Sequence, residues 1–188
     1  MARKAMVIDI ERCVGCLACV VACKVENDGE IGTYWTWVKR VGPTGEFPKT
    51  EMYFMPYTCQ QCDTPECITI CPANATYKRP DGVVVVDAEK CIGCESCIDA
   101  CPYGARCMDS RTKTAKKCTL CAHLIDKNEQ PNCVRNCPGK ARIVGDIDDA
   151  NSEAAKAIKS ANKNVYKLKD SGNKPVGAYI LRRSKWQG

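Results

Sequence analysis

The stretch that organises this chain is Cys91-Ile-Gly-Cys94-Glu-Ser-Cys97-Ile-Asp-Ala-Cys101-Pro102, whose four thiols follow the spacing C-x2-C-x2-C-x3-C-P. Met6-Val-Ile-Asp-Ile-Glu-Arg-Cys13-Val-Gly-Cys16 aligns without a gap on Val84-Val-Val-Asp-Ala-Glu-Lys-Cys91-Ile-Gly-Cys94. Likewise, Cys67-Ile-Thr-Ile-Cys71-Pro72-Ala-Asn-Ala75 matches Cys133-Val-Arg-Asn-Cys137-Pro138-Gly-Lys-Ala141. The chain therefore contains an internal repeat, and the repeat is built around cysteines.

Sixteen of the seventeen cysteines fall into four groups of four. Every group begins with C-x2-C and ends with C-x3-C, and a proline follows the last cysteine in all but the first group. In chain order the groups are Cys13, Cys16, Cys19 and Cys23; Cys59, Cys62, Cys67 and Cys71; Cys91, Cys94, Cys97 and Cys101; and Cys118, Cys121, Cys133 and Cys137.

These spacings predict iron-sulfur chemistry. Bacterial ferredoxins use C-x2-C-x2-C-x3-C-P to hold 4Fe-4S clusters, with three thiolates on one cluster and the fourth on another. Gly15 lies between two cysteines, where a side chain would crowd a cluster. Four structural zinc sites could also use sixteen thiols, but zinc usually takes two separated pairs. The alternative from another functional class is an interaction module that zinc holds together.

Composition and charge limit the other possible functions. The chain has 188 residues, 17 cysteines and only two phenylalanines, so its hydrocarbon core is thin. No apolar leader segment opens the sequence, and no window reaches the roughly 18 apolar residues of a membrane span. The formal charge is +6, and four clusters would add about −8. The basic residues therefore offset the clusters, and we expect no nucleic-acid partner.

Catalytic groups are scarce. His123 is the only histidine and follows a cysteine by two residues, which favours a role beside a cluster or at the surface. No Gly-rich nucleotide motif occurs. Cys107 is left over from the four groups, and we expect a buried free thiol there. The sequence predicts a non-catalytic electron carrier.

Several cations lie close to cysteines in the sequence. Lys116 and Lys117 precede Cys118, and Arg135 lies between the last two cysteines of the fourth group. Positive charge near a cluster favours its more negative reduced state, so these side chains could raise reduction potentials. The alternative is that they are solvated at the surface.

Secondary structure is predicted from alternation and turn residues. Strands are expected at Ala5 to Ile10 and Ala141 to Ile147, paired with each other, and a hairpin at 34–41 and 51–56. A helix is expected from Ala154 to Ala161. The strand-like tail, 165–181, is expected to wrap over the surface as a belt, or to serve as a contact arm.

These motifs resemble those of a known protein family. Three features are similar to those of the iron-sulfur electron-transfer (beta or small) subunits of the dimethyl sulfoxide reductase family of molybdopterin oxidoreductases. They are the order of the four groups, the segment Cys23-Lys24-Val-Glu26-Asn27 and the segment Cys97-Ile-Asp-Ala-Cys101-Pro102-Tyr103-Gly-Ala-Arg106. That family includes thiosulfate, polysulfide and arsenate reductase beta subunits and the transhydroxylase small subunit. Gln61 and Leu124 depart from its commonest pattern.

The resemblance implies four ligand sets, in which the first group pairs with the fourth and the second with the third. One cluster takes Cys13, Cys16, Cys19 and Cys137, and its neighbour takes Cys118, Cys121, Cys133 and Cys23. A third takes Cys59, Cys62, Cys67 and Cys101, and the last takes Cys91, Cys94, Cys97 and Cys71.

The same resemblance implies an α+β fold with two interleaved ferredoxin-like modules. The first comprises residues 1–28 plus 113–150, and the second comprises residues 59–112. Residues 29–58 form an inserted β-hairpin, and residues 151–188 form a C-terminal helix and strand-like tail.

The implied partners are a large catalytic subunit with a molybdenum or tungsten bis-pterin cofactor and, beyond it, a quinone-linked membrane anchor or a soluble electron carrier. Such subunits are often exported folded with their catalytic partner, so we expect the periplasmic side of the cytoplasmic membrane, with the cytoplasm as the alternative. A second interpretation with the same chemistry is a polyferredoxin-like adapter subunit of a hydrogenase or formate dehydrogenase complex.

Overall fold

The computed structural model describes residues 2–182 and 185–187, and they form the α+β fold that the sequence predicts. The ten strands are β1 (Lys4–Asp9), β2 (Thr36–Thr44), β3 (Glu51–Thr58), β4 (Thr76–Lys78), β5 (Val84–Val86), β6 (Arg106–Asp109), β7 (Thr114–Lys117), β8 (Arg142–Asp146), β9 (Val165–Tyr166) and β10 (Ala178–Ile180). The six α-helices are α1 (Ala18–Glu26), α2 (Glu66–Thr69), α3 (Ser96–Asp99), α4 (Ala122–Ile125), α5 (Asn132–Arg135) and α6 (Glu153–Ala161).

The largest sheet has four strands in the order β8-β1-β10-β9. β1 and β8 are antiparallel, with Met6 opposite Val144, so the predicted pairing of these two segments is confirmed. Helix α6 begins at Glu153, one residue before the predicted start, and the Ser152 hydroxyl caps it by accepting a hydrogen bond from the Ala155 N–H at 3.0 Å. Its buried Ala154 packs against the sheet beside Val7.

The predicted course of the tail over the surface is wrong. β10 lies inside the large sheet, parallel to β1 on one side and antiparallel to β9 on the other. Tyr179 and Ile180 are each 1% exposed. The apolar alternation of this segment does not distinguish an inner strand from a surface strap. β10 pairs with the free edge of β1, because an added strand satisfies the backbone N–H and C=O groups that this edge would otherwise leave unpaired.

The remaining strands form three two-stranded ribbons. β2 and β3 form the predicted hairpin, although β2 continues to Thr44 past a register shift after Val41. β4 pairs with β5, and β6 pairs with β7. Each of these last two ribbons has strands of only three or four residues, and each begins shortly after a Cys-Pro pair.

Within residues 2–182 and 185–187, no helix has the length and apolarity needed to cross a membrane.

Candidate metal centres

Four cavities of nearly equal size are each lined by four of the predicted site cysteines. Quartet one lines a cavity of about 340 Å³ and consists of Cys13, Cys16, Cys19 and Cys137. Quartet two lines a cavity of about 320 Å³ and consists of Cys23, Cys118, Cys121 and Cys133. Quartet three lines a cavity of about 370 Å³ and consists of Cys59, Cys62, Cys67 and Cys101. Quartet four lines a cavity of about 340 Å³ and consists of Cys71, Cys91, Cys94 and Cys97.

The structure thus brings together the four sets of cysteines that the resemblance implied. Each set takes three cysteines from one sequence group and one from another. The C-x3-C segments produce this exchange, since Cys19 and Cys23 lie one helical turn apart on α1 but line different cavities. The fourth group makes the reverse exchange, since Cys133 lines the cavity of quartet two and Cys137 lines the cavity of quartet one. Quartets one and two are therefore neighbours, and so are quartets three and four.

The C-x2-C loops share one backbone conformation. In all four, the residue before the second cysteine has a left-handed φ: 70° at Gly15, 48° at Gln61, 69° at Gly93 and 53° at Leu120. A side chain at Gly15 would also meet the Phe54 ring at 2.6 Å. The sequence predicted that a side chain at Gly15 would crowd a cluster, whereas the structure shows a positive φ and the Phe54 ring as the reasons for glycine. Gln61 and Leu120 adopt the same conformation without being glycine. Buried contacts must hold them there, because a positive φ costs a non-glycine residue free energy.

Backbone N–H groups donate to the cysteine sulfurs. Ala75 donates to Cys71 and Ala141 donates to Cys137, both at 3.2 Å. The repeat places these two pairs at matching positions. Such hydrogen bonds favour the thiolate form that iron requires and are one means of tuning a cluster.

Burial opposes the thiolate form in the absence of metal. Burial is the largest cause that raises the pKa of both Cys62 and Cys133 to about 12, and neighbouring cysteines contribute to the rise at Cys62. Cys71 differs: burial raises its pKa, but the N–H groups of Thr76, Ala75 and Ala73 more than offset this and lower it overall. The Cys62 and Cys133 thiols are therefore protonated at neutral pH until metal displaces the proton.

Two buried arginines belong to the site and were not identified as such from the sequence. Arg142 lines the cavities of both quartet one and quartet two. Its Nη1 lies 3.9 Å from the Cys133 sulfur, and its Nη2 donates to the Thr36 hydroxyl at 2.6 Å. Its Nε has no hydrogen-bond partner although it is buried. This free donor fits a cavity that holds an acceptor such as a cluster sulfide.

Arg106 is the counterpart of Arg142 beside quartet three. Its Nη2 donates to the Cys67 sulfur at 3.0 Å, and its Nη1 donates to the Thr76 hydroxyl at 3.2 Å. Both arginines follow the alanine of a Cys-Pro-x-x-Ala segment, so the internal repeat contained a signal that could have identified them.

Lys117 and Gln61 lie at the junction between quartets two and three. The Lys117 ammonium donates to the Val84 carbonyl and, at 2.9 Å, to the Cys118 carbonyl. Gln61 donates from Nε2 to the same Cys118 carbonyl at 2.9 Å, and its Oε1 accepts from the Val84 N–H at 2.8 Å. Val84 lines the cavity of quartet three. Lys117 is therefore not a solvated surface residue, whereas the Arg135 side chain is 59% exposed.

Solvent exposure distinguishes the outer quartets from the inner ones. Among the sixteen, the exposed cysteines are Cys16 of quartet one and Cys94 of quartet four, and all four cysteines of quartet two are buried. An exposed apolar stripe runs from the quartet-one loop along α1, formed by Val14, Leu17, Val21 and Val25. Ile92 is 68% exposed beside Cys94.

The remaining two residues that the sequence singled out lie outside the cavities. The His123 Nε2 pairs with the Glu26 carboxylate at 2.8 Å, and half of its side chain is exposed. Cys107 is only half-buried, and its thiol donates to the Lys116 carbonyl at 3.8 Å. It lines none of the four cavities.

The donor sets fit 4Fe-4S clusters better than zinc. A zinc ion needs four ligands at about 2.0 to 2.3 Å from one point. Here the four cysteines of each quartet line the wall of one cavity. Among the described residues, no three cysteine, histidine or carboxylate side chains converge as a single-ion site requires. A multi-atom group bound at four corners matches this arrangement, with thiolates as its only protein ligands.

Two family descriptions match the chain. A 4Fe-4S dicluster domain covers residues 50–147, and a 4Fe-4S binding domain covers residues 10–33. Together they span all four cysteine groups.

Relatives of this chain are iron-sulfur or B subunits of oxidoreductases. It is 42% identical to the sulfite dehydrogenase B subunit of Allochromatium vinosum, over 97% of this chain and 85% of that protein. It is 41% identical to the tetrathionate reductase B subunit of Salmonella typhimurium, over 95% and 72% of the two chains. It is 30% identical to the arsenate respiratory reductase iron-sulfur subunit of Shewanella, over 95% and 96%.

Proposed function

The chain belongs to the family of iron-sulfur electron-transfer subunits of molybdopterin oxidoreductases, and from this premise we propose that it carries four 4Fe-4S clusters in two interleaved ferredoxin-like modules. Quartets one and two would form the first module and quartets three and four the second. The observation that carries the proposal is the set of four similar cavities, each lined by four cysteines. All sixteen cysteines are used once, as ligands of four clusters require.

The chain would relay single electrons between its two ends. A fully ligated 4Fe-4S cluster supplies reversible one-electron chemistry and no open iron for substrate. The residues of this chain hold the thiolates, supply N–H donors to sulfur and exclude water from the inner quartets. Exposed cysteines in quartets one and four support electron entry and exit at opposite ends of the series.

The proposed partner at quartet one is a catalytic subunit that carries a molybdenum or tungsten bis-pterin cofactor. The apolar stripe of Val14, Leu17, Val21 and Val25 supports this, since Val25 is 75% exposed, Val21 and Val25 share one face of α1, and Leu17 directly precedes that helix. At quartet four, the proposed partner is a quinone-linked membrane anchor or a soluble electron carrier.

We also propose that the chain reaches the periplasmic side of the membrane together with its catalytic partner. Fractionation of cells that express the native complex tests this location. Recovery of the complex in the cytoplasm, with a catalytic partner that lacks an export signal, would overturn it.

Anaerobic purification of the native complex with metal analysis tests the proposed function. We expect about sixteen iron atoms per copy of this chain, and a large co-purifying partner that contains molybdenum or tungsten. A colourless chain with zinc would overturn the cluster proposal. Co-purification with a nickel-iron protein would overturn the proposed partner only.

A pair of cysteine variants tests the ligand assignment. Cys94→Ala removes an exposed ligand of quartet four and should cost the complex one of four 4Fe-4S signals in electron paramagnetic resonance. Cys107→Ala removes the thiol that lines none of the four cavities and should leave all four signals intact. Loss of a cluster in Cys107→Ala would contradict the assignment.

A further inference from the structure

Three cations are buried among the cysteine quartets. Arg142 is 3% exposed, Lys117 is 1% exposed and Arg106 is 6% exposed. Their hydrogen-bond partners are hydroxyl groups, carbonyl groups and cysteine sulfur. Among the residues that the structure describes, no carboxylate forms an ion pair with any of the three. A buried charge without a countercharge costs several kcal/mol, so some other negative group is needed beside each cation.

Arg142 lies in the gap between quartets one and two. It lines both cavities, and its Nε donor is buried without a partner. Burial lowers its pKa, but cysteines of both quartets, Cys133 and Cys19 first, outweigh that effect and raise it. Its charge therefore acts on both sides of the gap.

Arg106 lies in the gap between quartets three and four. It contacts the Cys67 sulfur of quartet three, and the hydroxyl that holds its other nitrogen belongs to Thr76, which lines the cavity of quartet four. Burial lowers its pKa, while Cys67 of quartet three and Cys97 of quartet four raise it above the ordinary value. This repeats the arrangement around Arg142.

Lys117 lies in the remaining gap, between quartets two and three. Its ammonium binds the carbonyl of Cys118, a quartet-two residue, and the carbonyl of Val84, which lines the cavity of quartet three. The four quartets thus have one buried cation in each of the three gaps.

We propose that Arg142, Lys117 and Arg106 each set the reduction potentials of the two clusters that flank them, so that electrons pass along a series in which clusters and cations alternate. This inference rests on the proposed function. Reduction adds one electron to a cluster from an outside donor; no bond forms or breaks, and the cation keeps its protons. A nearby positive charge stabilises the added electron, and the interior screens that interaction far less than water does.

The test is an anaerobic redox titration of the complex, followed by electron paramagnetic resonance, for the neutral variants Arg142→Gln, Lys117→Gln and Arg106→Gln. Each variant should lower two of the four midpoint potentials. The expected shift is at least a tenfold fall in the reduction equilibrium constant, or about 59 mV for one electron. The charge-conserving variants Arg142→Lys, Lys117→Arg and Arg106→Lys should recover most of the shift.

The pattern of shared shifts tests the order of the series without assigning any signal to a cluster. Arg142→Gln and Lys117→Gln should share one shifted midpoint, and Lys117→Gln and Arg106→Gln should share another. Arg142→Gln and Arg106→Gln should share none. Arg135→Gln is the matched control, because Arg135 lies between two cysteines in sequence but its side chain is mostly exposed; all four midpoints should stay in place.

Failure of this inference can be distinguished from failure of the proposed function. A wild-type complex with fewer than four clusters would contradict the proposed function. Four clusters with full iron in the variants and unmoved midpoints would overturn the inference alone, as would a variant that shifts one midpoint only. If a neutral variant loses iron, the charge-conserving variant at the same position provides the test. Full iron with wild-type midpoint potentials in that variant supports the inference. Full iron with lowered midpoint potentials overturns it.

Discussion

The two halves of the cysteine framework use the same metal-binding pattern but have very different surroundings. Around quartets one and two, β1 and β8 belong to a four-stranded sheet that α6 covers. Around quartets three and four, the corresponding β4 and β5 form an isolated ribbon with three residues in each strand. A two-stranded ribbon is at best marginally stable in water. The second half must therefore depend on its clusters for folding far more than the first half does.

Iron removal should produce the largest difference between the two halves. After anaerobic chelation, amide exchange in β4, β5, β6 and β7 should accelerate by at least about 1000-fold, equivalent to about 4 kcal/mol. Amides in β1, β8 and β10 should keep more of their protection, because the sheet has its own apolar core. Hydrogen exchange with mass spectrometry measures both. Equal loss of amide protection in the two halves would contradict the claim that the second half depends more on its clusters.

Truncation of Tyr179 should weaken the sheet-supported half. Its ring is buried in β10, and its hydroxyl accepts a hydrogen bond from Gln60 Nε2 at 3.1 Å. Tyr179→Ala should lower the free energy of unfolding by about 3 to 5 kcal/mol, since an aromatic side chain leaves a large cavity. Anaerobic urea unfolding measures the change.

Tyr179→Phe provides the control for that variant. It keeps the ring and removes only the hydroxyl, and Gln60 Nε2 still donates to the Thr58 carbonyl at 2.8 Å. We expect a loss of about 1 kcal/mol. A loss as large as that of Tyr179→Ala would mean that the hydrogen bond, and not the packing of β10, supports the sheet.

Loss of the Gln61 side-chain amide should weaken the connection between the halves. Gln61→Leu removes the acceptor of the buried Val84 N–H and one of two donors to the Cys118 carbonyl. The expected cost is about 1 to 3 kcal/mol. Because the amide joins the two halves, their unfolding transitions should separate when each is followed by hydrogen exchange. A single transition with unchanged stability would contradict this role.

Loss of the α6 cap should have the smallest effect on stability, and that effect should be confined to the first half. Ser152→Ala removes the hydroxyl that caps the helix and also donates to the Asp146 carbonyl, and the combined loss should be about 1 kcal/mol. Ser160→Ala is the matched control, because its exposed hydroxyl bonds only to the Ala157 carbonyl at the end of the same helix. That change should stay within about 0.5 kcal/mol. Equal effects would show that the cap does not matter.

Local sequence signals predicted much of the framework. The cysteine spacings indicated iron-sulfur chemistry, and the resemblance supplied the sets that the structure brings together around each cavity. The β1–β8 pairing was also correct, and the helix predicted from Ala154 to Ala161 begins one residue earlier. These features depend on contacts between nearby residues or on an internal repeat, and both can be recognised in the sequence.

The buried cations could not be predicted in the same way. Lys116, Lys117 and Arg135 look equivalent in the sequence, since each lies beside cysteines. The structure buries Lys117 and exposes Arg135, because strand alternation turns Lys117 inward from β7 whereas Arg135 ends the short helix α5. Arg106 and Arg142 could have been identified from the repeat, but only their positions between quartets give them a role.

Cofactor chemistry could be inferred from the amino-acid sequence, because ligand type and spacing are local properties of the chain. The family could also be inferred, through motifs that extend over nearly the whole length. Three features became visible only in the folded chain: β10 adds to the large sheet, Gln61 joins the two halves, and one cation lies in each gap between quartets. These outcomes depend on residues that are far apart in the chain and on the cost of burying a polar group without a partner.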